Sequence, residues 1–320
     1  MRKGFYARNL CVWFLKKSFT KKKILRESST DLPRKMMQPE KGNPEIIVDE
    51  AMVCEAFHRA GVVSGDTVLF HGSLSSMGWV QGGPTCIFNG ILMATAPGGT
   101  VAMPTLWYDG TEERAHPELF NVQNSPAFNG ALADGMRKDS RSVRSLHFSH
   151  SISAIGARAE ELTVGHDVCK PAPSPWSETA FGVGSPWQRL YEWNALYALI
   201  GVDFTVCTIK HLIESRMVMR LLSMLPTQAE RQARRAELSK DRKHGLWPYL
   251  TGARIEEVLS QQGVLKKTML GSATLRSVRT RPLLEVIGQD IWQQPEAWFA
   301  EEFLHWRKRV VTQGTGDCHE

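Results

Sequence analysis

Phe70-His-Gly-Ser-Leu-Ser-Ser-Met-Gly-Trp-Val-Gln-Gly-Gly-Pro84 is the stretch on which the fold turns. Just before and into it runs Thr67-Val-Leu-Phe-His71, apolar without alternation, which predicts a strand buried on both faces. After it, Thr85–Ala96 predicts a helix, and Pro84 suits the first turn of that helix, where its missing N–H is not needed. Pro97-Gly-Gly99 turns the chain into a second strand, Thr100-Val-Ala-Met103. Strand, glycine-rich loop, helix, turn and strand together indicate an α/β layer, with the loop at the carboxyl end of the first strand. Small residues there let backbone N–H groups approach an anion, and the helix N-terminus adds a partial positive charge. The spacing fits neither GxGxxG nor GxxxxGK followed by Ser or Thr. On the residues alone, a phosphate cradle and a plain glycine-rich turn are equally good readings.

Working outward, Met52, Val53, Ala56, Phe57 and Ala60 fall at helical spacing, so Asp49–Ala60 predicts a helix ended by Gly61. Further strands are expected at His150–Ile155 and Ala195–Gly201, and a helix at Thr208–Leu222. Pro248–Val310 alternates short helices and strands and ends in a Trp-rich helix. The fold class is therefore α/β: a mixed central sheet flanked by helices, with a smaller C-terminal subregion. Residues 30–44, polar and carrying Pro33, Pro39 and Pro44, read as a linker. The expected organisation is a basic leader and linker over 1–45, a folded domain over 46–310 and a tail over 311–320.

Charge narrows the partners. The net +6 is concentrated at the start, where residues 1–42 hold twelve Lys/Arg against three Asp/Glu, so the remainder is near −3. A slightly acidic domain gives no reason to expect nucleic-acid binding. The basic cluster Arg231, Arg234, Arg235, Lys240, Arg242 and Lys243 reads as a solvated helix face. Residues 9–15 form an apolar run too short for a secretory signal or a span, although the leader can lie on an anionic membrane surface as a basic amphipathic helix. Cysteines at 11, 54, 86, 169, 207 and 318 form no CxxC pair, which favours reduced thiols and a cytoplasmic location.

Several stretches, taken in order, resemble the aminoglycoside 3-N-acetyltransferase family. His71-Gly-Ser-Leu-Ser-Ser-Met-Gly-Trp-Val-Gln-Gly-Gly83 is similar to its H-S-S-L-S loop and trailing G-G, with Gly72 in place of the usual Ser. Gly99–Thr105, Arg144–Gly156, Gly184–Pro186 with Leu190–Glu192, Thr208–Glu214, Gly245–Tyr249 and Gly271–Ala273 follow its later motifs, with Phe148 and Ser153 replacing a common Pro and Ala. The resemblance covers about residues 46–310. It implies an antibiotic N-acetyltransferase-like fold and acetyl-CoA as co-substrate, with no metal. For the cofactor it implies roles at Ser73, Leu74, Ser75 and Gly78, with His71 ordering the loop. Thr105 and Ser151 are candidates on the same side, where the thioester carbonyl needs a donor. His166 is implied as general base and Glu214 as its orienting partner. Between His166 and Gly182 the chain is longer than the family's short H-x-x-D-x-P-x-G connection, and no acidic residue aligns there.

The chemistry fits these residue types. An attacking amine must lose a proton, and an imidazole held by a carboxylate is suited to take it near neutral pH. No GxSxG elbow is present and no cysteine adjoins a motif histidine, so direct attack in a ternary complex is expected over an acetyl-enzyme. The short phosphate motif of the histone-acetylating superfamily is absent. The expected acceptor is a small-molecule amine, an aminoglycoside or another amino sugar. Asp109, Glu112, Glu113 and Glu118 are candidate carboxylates facing such a polycation. Two other classes remain: a metal-dependent hydrolase using His147, His150 and His166, and a non-catalytic coenzyme A-binding protein. Acetylation of an amino sugar in surface-polysaccharide or secondary metabolism is the alternative within the same chemistry.

Overall fold

The computed structural model describes residues 39–107, 117–238 and 246–315. The leader up to residue 38, the last five residues, Asp109, Glu112, Glu113, Lys240, Arg242, Lys243 and Gly245 lie outside the described residues.

The described chain begins with β1 (Ile47–Val48) and α1 (Glu50–Ala60). Helix α1 starts at Asp49, whose Oδ1 accepts the Met52 N–H at 2.8 Å, and stops at Gly61 with φ 94°. Asp49→Ala is expected to cost about 1 kcal/mol, read as a lowered urea midpoint. Strand β2 (Thr67–Gly72) leads into a single 3-10 turn at Leu74–Ser76, then β3 (Trp79–Val80), α2 (Pro84–Ala94) and β4 (Thr100–Pro104). Next come α3 (Ala131–Lys138), β5 (Val143–Arg144), β6 (Ile152–Gly156), α4 (Ala159–Thr163), α5 (Pro186–Glu192) and β7 (Leu196–Ile200). Helices α6 (Lys210–Ser223), α7 (Gln228–Leu238) and α8 (Gly252–Gln261) precede β8 (Lys266–Leu270), β9 (Ala273–Arg279), α9 (Thr280–Gln293) and α10 (Glu301–Thr315).

The main sheet has the order β5-β6-β4-β2-β7-β9-β8. Strands β4, β2 and β7 are parallel, and the outer strands join antiparallel. This is a mixed sheet whose three central strands are buried on both faces, which is why they read as unbroken apolar runs. Alternate residues of β2 serve opposite cores. Val68 and Phe70 pack with Phe57, Ile87, Phe88, Leu132 and Met136 of α1 to α3. Leu69 packs with Tyr197, Trp187, Leu212, Ile287 and Trp306 on the other face. The C-terminal β8, β9 and α9 add to this sheet and to its two cores.

From β2 the chain crosses to β4 on one side, while β7 lies on the other. The strand order therefore switches direction at the carboxyl ends of β2 and β7, the position where open α/β sheets hold ligands. The glycine-rich loop and the segment leading into α6 both begin there.

Candidate active site

The loop after β2 is bound tightly to its surroundings. The Ser73 N–H donates to the Ile200 carbonyl at 3.0 Å, and the Ser76 hydroxyl donates to the Ser73 carbonyl at 2.7 Å. The first two N–H groups of the 3-10 turn, Leu74 and Ser75, have no partner inside such a turn and remain as donors. Gly78 differs from the expectation. At φ 113°, a Cβ there would lie 2.5 Å from the Ile46 carbonyl oxygen and 2.9 Å from that of Asn43. The space beside Gly78 is thus filled by the chain's own residues 43–46, which leaves none for a cofactor. The open glycines come later: Gly82 and Gly83, at φ 82° and 65°, have nothing within 4 Å of a built Cβ, and Gly83 caps α2. Close approach to an anion is available at the start of α2.

His71, Thr105 and Ser151 are internal. His71 is 6% exposed. The Tyr197 phenol oxygen takes the Thr208 N–H at 3.0 Å and gives its own proton to His71 Nε2 at 2.7 Å. Burial pushes the His71 pKa down to about 3, so it is a neutral acceptor locking β2, β7 and the approach to α6. Ser151 donates to the Thr105 carbonyl at 2.7 Å and accepts from Arg144 Nε at 3.1 Å. Arg144 also donates to the Thr105 carbonyl at 2.7 Å and the Ser125 carbonyl at 2.6 Å. Both residues are fully buried: the Thr105 carbonyl and the Ser151 hydroxyl accept from this arginine, whose pKa burial lowers to about 10, and the Thr105 hydroxyl lies 3.0 Å from that of Ser153. They hold the wall behind the site and present nothing to a ligand.

The four central histidines form one cluster. His166 is fully buried, with Nδ1 2.9 Å from the Ser145 hydroxyl and Nε2 3.1 Å from the Ala180 carbonyl. A carbonyl only accepts, so Nε2 carries the proton and Nδ1 receives the Ser145 O–H. The ring stacks on His147, with centroids 4.4 Å apart. Burial first, and then the adjacent His147, hold the His166 pKa well below the usual value. Glu214 is also fully buried, but its partners are different. Oε2 accepts from His211 Nδ1 at 2.8 Å and Trp247 Nε1 at 2.9 Å, and Oε1 accepts from the Leu250 N–H at 2.9 Å. The expected His166–Glu214 pair is replaced by His211–Glu214. Three residues apart on α6, His211 and Glu214 share one helix face, whereas His166 follows α4 and has other hydrogen-bond partners, Ser145 and Ala180. His211 stood inside the Thr208–Glu214 motif, and that His-x-x-Glu spacing was the signal for it.

His147 Nδ1 accepts the His150 N–H at 3.0 Å and the Ser149 N–H at 3.3 Å, and burial lowers its pKa to about 4. His150 Nδ1 lies 2.8 Å from the Ser149 hydroxyl. With these nitrogens turned to the local chain, the triad His147, His150 and His166 does not converge as a metal site. Among the described residues no group of three His, Cys, Asp or Glu side chains does.

The long segment after His166 supplies the aromatic side of the cluster. It is pinched at its base by the Lys170–Val183 bridge, and the Ala172 N–H donates to the Glu178 carbonyl at 2.9 Å. Glu178 pairs with Arg235 on α7. Trp176, inside the segment, packs on His150 and His211 with centroids 5.2 and 5.6 Å away. Phe181 packs on the same two rings at 4.9 and 5.5 Å. A groove of about 560 Å³ between α6 and α9, lined by Arg216, Arg220 and Trp292, shares none of these residues.

The profile of the aminoglycoside 3-N-acetyltransferase family matches residues 69–290. Aminoglycoside N(3)-acetyltransferase VII of Streptomyces paromomycinus is 30% identical over 170 residues, 48% of this chain and 56% of that protein. The chain thus spans little more than half the length of that curated relative. The crystal structure of aminoglycoside acetyltransferase AAC(3)-Xa superposes with a TM-score of 0.60 at 23% identity, over 77% of this chain and 93% of that one. AAC-IIIb in its binary complex with CoASH superposes at 0.59 and 20% identity, over 78% and 97%. These two share the fold, and the match that runs from β2 through α9 carries the family. The chain belongs to the aminoglycoside 3-N-acetyltransferase family.

Proposed function

We propose that the protein transfers the acetyl group of acetyl-CoA to a primary amine of an aminoglycoside, by direct attack in a ternary complex. The observation that carries this reading is the loop between β2 and α2, which lies inside the family match and offers open backbone at Gly82, Gly83 and the first turn of α2. The fold neighbour AAC-IIIb was solved with CoASH, and the relatives are named for aminoglycosides. The catalytic unit is residues 46–310. Free thiols at Cys54, Cys86, Cys169 and Cys207 support a reducing compartment, the cytoplasm, as the place of action.

In this reading, N–H groups of Leu74, Ser75 and the start of α2 hold the pyrophosphate and pantetheine arm. The amine nitrogen attacks the thioester carbon, the C–N bond forms, the C–S bond breaks, and the electron pair leaves on sulfur. The histidine cluster removes the amine's proton. Glu214 is the orienting carboxylate, and His166 belongs to the neutral stack beside it. Exposed Glu118, with Asp109, Glu112 and Glu113 just before it in the sequence, attracts the polycationic acceptor.

The test is free-thiol release from acetyl-CoA with a panel of aminoglycosides, nucleotide-linked amino sugars and a blank. Release with an aminoglycoside, with a mass gain of one acetyl group, is the expected result. Release only with another amino sugar moves the acceptor into glycan synthesis, and release with no amine ends the proposal. Gly83→Val, which puts a branched side chain at positive φ beside the cradle, is expected to raise KM for acetyl-CoA roughly tenfold or more with a smaller change in kcat. An unchanged KM would move the cofactor away from α2.

A further inference from the structure

We propose that the groove between α6 and α9 is a second ligand site, which takes a nucleoside phosphate. It encloses about 560 Å³, within the range of roughly 300 to 1,000 Å³ that small-molecule sites occupy. Helix α6 divides its faces between the two places. Glu214 is turned to His211, whereas Ile213, Arg216, Met217 and Arg220 line the groove. The floor is apolar: Ile213 and Met217 meet Leu284 and Ile291 of α9, all buried. Gly288 stands between these α9 residues, and a Cβ built on it meets nothing within 4 Å. The groove is therefore open down to the backbone of α9 at that point.

The rim is cationic. The Arg220 guanidinium lies 4.3 Å from the centre of the Trp292 ring, and that of Arg307 on α10 lies 5.1 Å from the same ring. Stacking on an indole uses the face of a guanidinium and leaves its in-plane N–H groups to donate. Among the described residues neither side chain has a hydrogen bond or an ion pair. One turn back on α6, Arg216 stacks on Tyr191 at 4.0 Å and donates to Gln188 Oε1 at 2.8 Å. The one carboxylate of the lining, Glu285, accepts the Tyr191 O–H at 3.3 Å. Two guanidiniums are thus held at Trp292 without a counter-charge. A phosphate monoester, with a charge of about −1.5 to −2 at neutral pH, matches both, whereas a carboxylate would leave one over. The outer face of exposed Arg220 continues the Trp292–Arg220 stack and is where a flat base packs. The sugar then covers the apolar floor beside Gly288.

The test is calorimetric titration of the full chain with AMP, adenosine and inorganic phosphate. AMP carries the phosphate monoester and the base but no pyrophosphate, which separates this groove from the loop after β2. AMP is expected to bind and to raise the thermal midpoint, with adenosine and inorganic phosphate each roughly tenfold weaker or more. Arg220→Gln with Arg307→Gln removes the charge and should weaken AMP roughly tenfold or more. Gly288→Leu blocks the groove without touching an arginine and should weaken it as much. That change raises helix propensity inside α9, so lost binding there is not lost folding. Gly83→Val should leave AMP affinity unchanged. AMP binding that is absent, that survives both groove variants, or that is lost only in Gly83→Val would overturn the proposal. Inorganic phosphate binding as tightly as AMP would overturn the nucleoside part. None of these readouts depends on which amine the protein acetylates.

Discussion

Bringing the pH from 7 to 5 is expected to remove about 4 kcal/mol of folding stability, mainly through histidine protonation. Two buried rings are responsible. His71 and His147 have folded pKa values near 3 and 4, against an ordinary value of 6.5. Each uses a lone pair in the folded chain: His71 accepts the Tyr197 O–H, and His147 accepts two backbone N–H groups. Between pH 6.5 and about 5 the unfolded chain binds protons at both positions and the folded chain binds almost none. Stability therefore rises with pH across that window, by about 1.4 kcal/mol per unit for each ring, and is complete above pH 6.5. His166 acts in the same direction. The paired carboxylates of Asp134, Asp139 and Glu256, whose pKa values are lowered, add their loss only at lower pH. Urea midpoints at pH 7, 6 and 5 measure the effect. A flat profile would mean that these rings accept protons without unfolding.

Glu214→Leu is the second large effect, with an expected loss of roughly 3 to 5 kcal/mol. The side chain is fully buried and satisfies three donors from two parts of the chain. Leucine fills most of the volume but orphans His211 Nδ1, Trp247 Nε1 and the Leu250 N–H at once, and each unpaired buried donor costs about 1 to 3 kcal/mol. Glu214→Gln should cost clearly less, because an acceptor survives. Denaturant unfolding of the two variants separates the cases; equal stabilities would show that the donors find other partners.

The sequence was most legible where one residue decides a local conformation or a whole segment shares one environment. Asp49 and Gly61 mark the two ends of α1, and the unbroken apolar runs at 67–71 and 195–201 announce central strands. Strand β8 was hidden because its Lys266-Lys-Thr-Met-Leu270 is mostly exposed, and only pairing with β9 makes it a strand. The site was legible as a set of motifs but not as a set of pairs. His166 and Glu214 lie in different motifs, and nothing in one sequence tells whether two such segments touch. The His211–Glu214 spacing within one helix did carry that information. Thr105 and Ser151 were candidates for contacts to the cofactor, but the antiparallel register of β4 and β6, with Pro104 opposite Ile152, puts them side by side around Arg144. Gly78 shows a related limit: a glycine marks a close approach without saying whether the visitor is a ligand or the chain itself.

The segment pinched by the Lys170–Val183 bridge has a consequence for descent. Its base is fastened while its tip reaches His150 and His211 through Trp176. Changing the length between two fastened ends costs mainly loop-closure entropy, about 0.6 kcal/mol for each doubling. Lineages can therefore lengthen or shorten this tip without disturbing the strands or the glycine-rich loop after β2. The aromatic edge that Trp176 adds to His150 and His211 is what this architecture leaves freest to diverge, while the rings themselves stay held by the strands and helices behind them.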